Sequence, residues 1–144
     1  MRVKSASVTR TGSGETLGQI GPGFLVLLGV HADDTPREAD KIADRICGLR
    51  IFEDENGKMN IRPADAGAEL LLVSQFTLWA DCRSRRPGFT AAARPETAIP
   101  LYERVIANCR AQGFTVQTGE FGADMQVASV NDGPVTIILD TREL

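Results

Sequence analysis

The 144-residue sequence is poor in what a side-chain nucleophile or a metal centre requires. It holds one histidine, His31, at the end of an apolar run where a histidine is ordinarily structural, so no Ser-His-Asp set can be assembled without it. There is no G-x-S-x-G elbow. The three cysteines, Cys47, Cys82 and Cys109, are odd in number and far apart, with no C-x-x-C. That excludes a complete disulfide framework and a zinc knuckle, and it favours reduced cytoplasmic thiols. With H-x-x-H missing as well, neither a metal nor a cofactor is expected. Long apolar stretches are absent too. The longest, Phe24 to Val30, is far short of the roughly 20 residues of a membrane span. The opening Met-Arg-Val-Lys-Ser has no apolar h-region. The expectation is one soluble, cytoplasmic domain covering residues 1–144.

Basic excess is also lacking: 16 Lys and Arg stand against 19 Asp and Glu, for a net charge of −3. Phosphate neutralisation dominates nucleic-acid affinity, so this balance argues against a broad footprint on DNA or RNA and leaves room only for a local one. Arg83-Ser84-Arg85-Arg86 is the obvious candidate, with Arg2, Lys4 and Arg10 as a looser group. Either set also reads as solvated surface. Paired carboxylates such as Asp33-Asp34 and Asp54-Glu55 lie in loops beside turns and read the same way.

What is present is a pattern of short strands and two helices. Ser5 to Thr11 alternates loosely, Gly12-Ser13-Gly14-Glu15 reads as a hairpin turn, and Thr16 to Ile20 returns. After the turn Gly21-Pro22-Gly23, the run Phe24 to Val30 reads as a strand buried on both faces. Thr35-Pro36-Arg37-Glu38 has the order of a capping box with proline at the first helical position. Ala39, Ile42, Ala43, Ile46 and Leu49 follow at helical spacing, which predicts a helix to about Leu49.

Further strands are predicted at Ile51–Glu53, Glu69–Leu78, Phe114–Thr118, Met125–Val130 and Val135–Asp140. A second helix is predicted over Glu96–Ala111, with Leu101, Val105 and Cys109 inward, Ile106 flanking and Gly113 as the stop. Strands in hairpin pairs with only two helices imply an α+β fold: a small, barrel-like curved sheet with both helices packed outside.

Two segments carry polar chemistry into apolar surroundings. Ser74-Gln75-Phe76-Thr77-Leu78 places a hydroxyl and an amide where burial without partners costs roughly 1–3 kcal/mol per group. The glutamine reads either as functional or as the cap of an edge strand. Asn131-Asp132-Gly133-Pro134-Val135-Thr136 lies between two predicted strands. It reads either as an ordinary hairpin loop or as a site for a cis peptide, which before proline costs only about 0.5–1 kcal/mol.

Taken together, in this order, the two segments resemble the D-aminoacyl-tRNA deacylase family. The likeness extends to Ile20-Gly21-Pro22-Gly23, Leu49 to Asp54, Gly57-Lys58-Met59-Asn60, Arg85-Arg86-Pro87 and Phe121 to Val127, and so covers Val3 to Asp140. The resemblance implies a homodimer that hydrolyses the ester joining a D-amino acid, or glycine, to the terminal adenosine of tRNA. On this chain Ser74, Gln75, Phe76 and Thr77 would line the ester, and the amides of Phe76 and Thr77 would stabilise the oxyanion. Gly133 and Pro134, joined by a cis peptide, would reach into the partner's site and reject L-amino acids. Phe89 and Met125 would enclose the adenosine, and Arg2 would pack on the Gly-Pro loop at the substrate-binding site.

The partner implied is the acceptor end of aminoacyl-tRNA, with no DNA, no membrane and no cofactor. Two other readings use the same residues: a dimeric RNA-binding module without turnover, and an esterase of free D-amino acid esters. Set against the family, the first strand looks shortened and the turn Arg10–Leu17 about two residues longer, which predicts a destabilised N-terminal edge.

Overall fold

Leu70, Leu71 and Leu72 are consecutive and all 0% exposed, so the strand that carries them is covered on both faces. In the computed structural model, which describes residues 1–144, that strand is β6 (Glu69–Ser74). Leu70 and Leu72 face a cluster shared with the helices, and Leu71 and Val73 face a second cluster with Val3, Val8, Ile20 and Leu25. Side chains two apart share a face, so the first cluster is the layer between sheet and helices and the second fills the inside of the curved sheet. Fully burying a leucine stabilises by about 1.5–3 kcal/mol, and neither face could be left to water.

The remaining strands are β1 (Arg2–Arg10), β2 (Thr16–Ile20), β3 (Gly23–Leu28), β4 (Phe52–Glu53), β5 (Met59–Ile61), β7 (Val116–Thr118) and β8 (Met125–Asn131). The main sheet runs β2-β1-β3-β6-β7, with β8 added on β1, while β4 and β5 form a separate hairpin. β8 follows one side of β1 from Val3 to Arg10. β3 and β2 share the other side, at Arg2–Val3 and Ala6–Thr9 respectively. The two ends of the path come together at Gly18 of β2, where an added Cβ would lie 2.7 Å from the Thr118 carbonyl oxygen of β7. The barrel is nearly closed there, and only a residue without a side chain fits.

Helix α1 (Pro36–Gly48) starts as its sequence dictates. Thr35 accepts from the Arg37 amide, the capping box with Glu38 is complete, and Pro36 occupies the first turn. Helix α2 (Pro95–Ala111) buries Leu101, Val105, Ile106 and Cys109, together with Ala98 and Tyr102. The two helices lie against each other on the outer face of the sheet, tied by Arg104 and Asn108 to the Asp40 carboxylate at 2.7 Å each. Those bonds, Arg104 first, hold the Asp40 pKa down to about 2. The Tyr102 hydroxyl donates to the Leu72 carbonyl at 2.8 Å, and burial pushes its pKa up to about 12.

The α+β class, the barrel-like sheet and the two outer helices match the expectation; several strand details do not. β3–β6 and β6–β7 pair in parallel, not as hairpins. The strand expected over Glu69–Leu78 ends at Ser74, and Phe76–Trp79 forms a 3-10 turn. Val135–Asp140 takes part in no strand pairing, although Arg2 N donates to the Val135 carbonyl at 3.0 Å. A strand needs an edge to pair with, and β1 already carries neighbours on both sides.

For the same reason the N-terminus is not a weak edge. The Met1 ammonium donates to the Leu25 carbonyl at 2.9 Å, Leu25 N donates back at 3.0 Å, and Arg2 is buried. No helix is long and apolar enough to cross a membrane.

Candidate active site

β6 ends on a last rung in which Gln75 N donates to the Leu28 carbonyl at 2.8 Å. The chain then folds over the end of β3 as the 3-10 turn, with Leu78 N bonded to Gln75 O at 3.3 Å and Ala80 N to Thr77 O at 3.1 Å. Gly29 makes room for it: an added Cβ would meet Gln75 O at 3.0 Å and Trp79 Cδ1 at 3.2 Å. Two consequences follow for the polar groups. The amides of Phe76 and Thr77 donate to no acceptor within the chain, and both residues are exposed. The Thr77 hydroxyl is met by the Gln75 side-chain amide, which is not a base.

His31 does not reach Thr77 as a base. Its ring lies edge-on to Trp79 with centroids 4.6 Å apart, and its Nδ1 accepts from the Asp33 amide at 3.0 Å. Cys47 and Cys109 are both buried in the layer between sheet and helices, so neither thiol is presented to the turn as a nucleophile. The site therefore offers fixed N–H donors and a hydroxyl, and no activated side-chain nucleophile.

Around it, Ala32 N to Ala91 O (2.9 Å) and Ala93 N to Val30 O (2.8 Å) dock the segment after Phe89 onto the end of β3. Phe89 thereby stands edge-to-face on Phe76, centroids 5.2 Å apart. Met125 lies at the same end of the barrel, where its sulfur accepts from Glu120 N at 3.4 Å and crowds Gly119. Ser74, Gln75, Phe76, Thr77 and Phe89 are thus brought together, with Met125 nearby.

Gly133, Pro134 and Arg2 lie elsewhere. The Gly133–Pro134 peptide is cis, and both residues are exposed. The loop is held beside the start of β1 by Asp132 N to Arg2 O at 2.9 Å. Beneath it, the Arg2 guanidinium donates to Asp132 O at 3.2 Å and Ile51 O at 2.8 Å, with the Glu53 and Asp132 carboxylates each 3.8 Å away. Arg2 is a buried support of this loop and has no surface for substrate. It also leaves the looser basic group, as does Arg10, which is paired with Glu15 and Glu120. Arg2 pairs with Phe24 and Ser74 with Leu28, so the rungs that carry the loop and the turn are four residues, about 13 Å, apart along β3.

One neighbour of the site escaped sequence reasoning. The Arg142 guanidinium lies 4.6 Å from the Trp79 ring centroid and is bonded to Asp140. Lys41 anchors this terminus by donating to Thr141 O at 3.3 Å and to Leu144 O. No periodicity or motif signals a contact between a terminal arginine and a turn more than sixty residues away. Trp79 is the sole tryptophan, so its emission reports the contact directly. Arg142→Ala is expected to shift that emission to the red and lower kcat about two- to fivefold, the worth of an exposed cation–π pair. Unchanged emission would show that the arginine does not rest on the ring.

The family model described as D-Tyr-tRNA(Tyr) deacylase matches residues 1–140. A D-aminoacyl-tRNA deacylase of Symbiobacterium thermophilum is 54% identical over 143 residues, 99% of this chain and 93% of that one. One from Clostridioides difficile is 55% identical over 143 residues, 99% and 95% of the two chains.

Among solved structures, "c-Myc DNA Unwinding Element Binding Protein" superimposes with a TM-score of 0.89 at 40% identity, covering 96% of this chain and 94% of that one. A probable eukaryotic D-amino acid tRNA deacylase shares the fold at a TM-score of 0.79 and 14% identity, covering 92% of each. The chain belongs to the D-Tyr-tRNA(Tyr) deacylase family.

Proposed function

We propose that the chain hydrolyses the ester between a D-amino acid, or glycine, and the terminal adenosine of tRNA, acting in the cytoplasm as a homodimer. The observation that carries this reading is the pair of acceptor-free amides at Phe76 and Thr77, beside a hydroxyl with no base. Water adds to the ester carbonyl, and the two N–H groups stabilise the oxygen that becomes negative. The 2′-hydroxyl of the terminal ribose relays the water's proton to the departing 3′-oxygen. The products are the free amino acid and tRNA with its 3′-hydroxyl restored.

The offset of about 13 Å between the rungs that carry turn and loop supports the dimer, because an ester held at the turn is then more readily met by the loop of a second copy. A second copy would bring its exposed Gly133-Pro134 to the Phe76–Thr77 turn, where carbonyl oxygens hold the α-ammonium. With ammonium and ester both fixed, an L side chain points into the loop backbone and a D side chain points away. Glycine has nothing to collide and passes. Phe89 and Met125 bound the space for the adenosine, and Arg2 holds the loop in shape from beneath.

The test is release of label from D-tyrosyl-tRNA and L-tyrosyl-tRNA in parallel, with enzyme at catalytic concentration. Fast loss of the D-ester alone is the expected result. No loss of either ester from folded protein would overturn it and favour an RNA-binding module without turnover.

A further inference from the structure

We infer that the loop Asp81–Gly88 is a clamp for the sugar–phosphate backbone of the RNA acceptor strand, with Arg85 and Arg86 as its phosphate ligands. The inference rests on the function proposed above and names the part of this surface that holds the polynucleotide. The loop is closed at its base by reciprocal bonds, Asp81 N to Gly88 O at 2.7 Å and Gly88 N to Asp81 O at 2.9 Å. Its tip is drawn in by Arg86 N to Ser84 Oγ at 3.2 Å. It leaves the chain two residues after the Phe76–Trp79 turn and returns one residue before Phe89, which stands on Phe76. A strand whose end lies at Phe76 and Phe89 therefore has this loop close beside it.

Charge separates the loop from the rest of the molecule. Asp81–Gly88 holds three arginines and one aspartate, net +2, whereas the remainder of the chain is −5. Within it, Asp81 is occupied by Arg83, whose Nε lies 2.9 and 3.0 Å from its two oxygens. Arg85 and Arg86 have no carboxylate within 4.0 Å, and both are exposed. Several other arginines are committed to an acid: Arg10 to Glu120, Arg62 to Asp65, Arg104 to Asp40 and Arg142 to Asp140. An exposed guanidinium without an acid has its planar fork free for a phosphate's two oxygens, and it loses little hydration on meeting one. Arg37, Arg45, Arg50 and Arg110 also have no acid partner, but only Arg85 and Arg86 are adjacent in a loop that joins the Phe76 turn to Phe89, where a net-negative protein gains a local hold on a polyanion.

The experiment compares wild type with the double variant Arg85→Ala, Arg86→Ala. It measures binding of uncharged tRNA across a salt series, and KM for D-tyrosyl-tRNA and for 3′-O-(D-tyrosyl)-adenosine, which carries the same ester and no phosphate. The variant is expected to bind tRNA at least tenfold more weakly, with KM for the tRNA ester raised to match. The slope of log affinity against log salt is expected to flatten by about 1.4, for two single-strand phosphates. The rise in KM is expected only with tRNA, and Arg85→Lys, Arg86→Lys should restore a large part of it.

Unchanged tRNA affinity and slope would overturn the proposal. So would an equal loss on both esters, which would mean the loop shapes the ester site instead. Uncharged tRNA needs no hydrolysis, so weakened binding with a flattened slope upholds the clamp even if neither ester is cleaved. That second result would count against the function alone.

Discussion

Phe76→Pro is expected to lower kcat on D-tyrosyl-tRNA by about 10²–10³-fold, the loss that follows removal of one oxyanion donor. The substitution deletes an amide N–H that has no acceptor within the chain. The backbone tolerates it: Gln75, at φ −144° and ψ 85°, is outside the α region that a following proline disfavours. A proline φ near −65° also suits the first residue of a 3-10 turn. Phe76→Ala keeps the N–H, loses the same ring contact with Phe89, and is the comparison that isolates the amide. Equal losses in the two variants would show that the amide does nothing in the transition state. Thr77→Ala should cost less than about tenfold, because the hydroxyl has no base to activate it. A loss beyond about 10⁴-fold would restore Thr77 as a nucleophile.

Gly133→Ala is expected to reduce kcat/KM for the D-ester by about 10²-fold and to bring the D-to-L ratio toward unity. Gly133 has φ +122°, and an added Cβ would lie 2.8 Å from Val135 Cγ2 and 3.0 Å from Arg2 Nη2. A side chain can enter only if the loop moves, and a displacement of about 1 Å in a positioning element costs on the order of 10²-fold. Arg2 should report the same loop from below. Arg2→Ala leaves Ile51 O and Asp132 O without their donors, at about 1–3 kcal/mol each, and should lower the urea midpoint as well as the D-to-L ratio. Arg2→Lys replaces a planar fork, whose Nε and Nη1 reach separate carbonyls, by a single point of donation and should fall between. Full retention of the D-to-L ratio in Gly133→Ala would show that the loop is not the filter.

Some of this molecule could be read along the chain because its causes are local. α1 is set by Thr35, Pro36 and Glu38 within one turn, and the stripe from Ala39 to Ile46 needs only the helical repeat. The polar segment Ser74–Thr77 stood out because serine and glutamine interrupt an apolar run, and the turn proves to be where donors are left free. Its shape was not legible. Leu78 and Trp79 extend the apolar run of β6, yet the chain leaves the sheet at Ser74 because β3 ends opposite it and Gly29 offers a place to fold over. Val135–Asp140 has the composition of a strand and no free edge to join.

The α+β class, the two helices, the family and the segments with chemistry in them were legible along the chain, since these depend on spacings of a few residues. The parallel pairing of β3, β6 and β7, the closure at Gly18, and the burial of Arg2 under the Gly133-Pro134 loop emerge only from long-range packing. Packing also set the turn and the loop at different levels of the sheet. Those outcomes depend on which faces can be covered at once by segments tens of residues apart, and no local pattern encodes that choice.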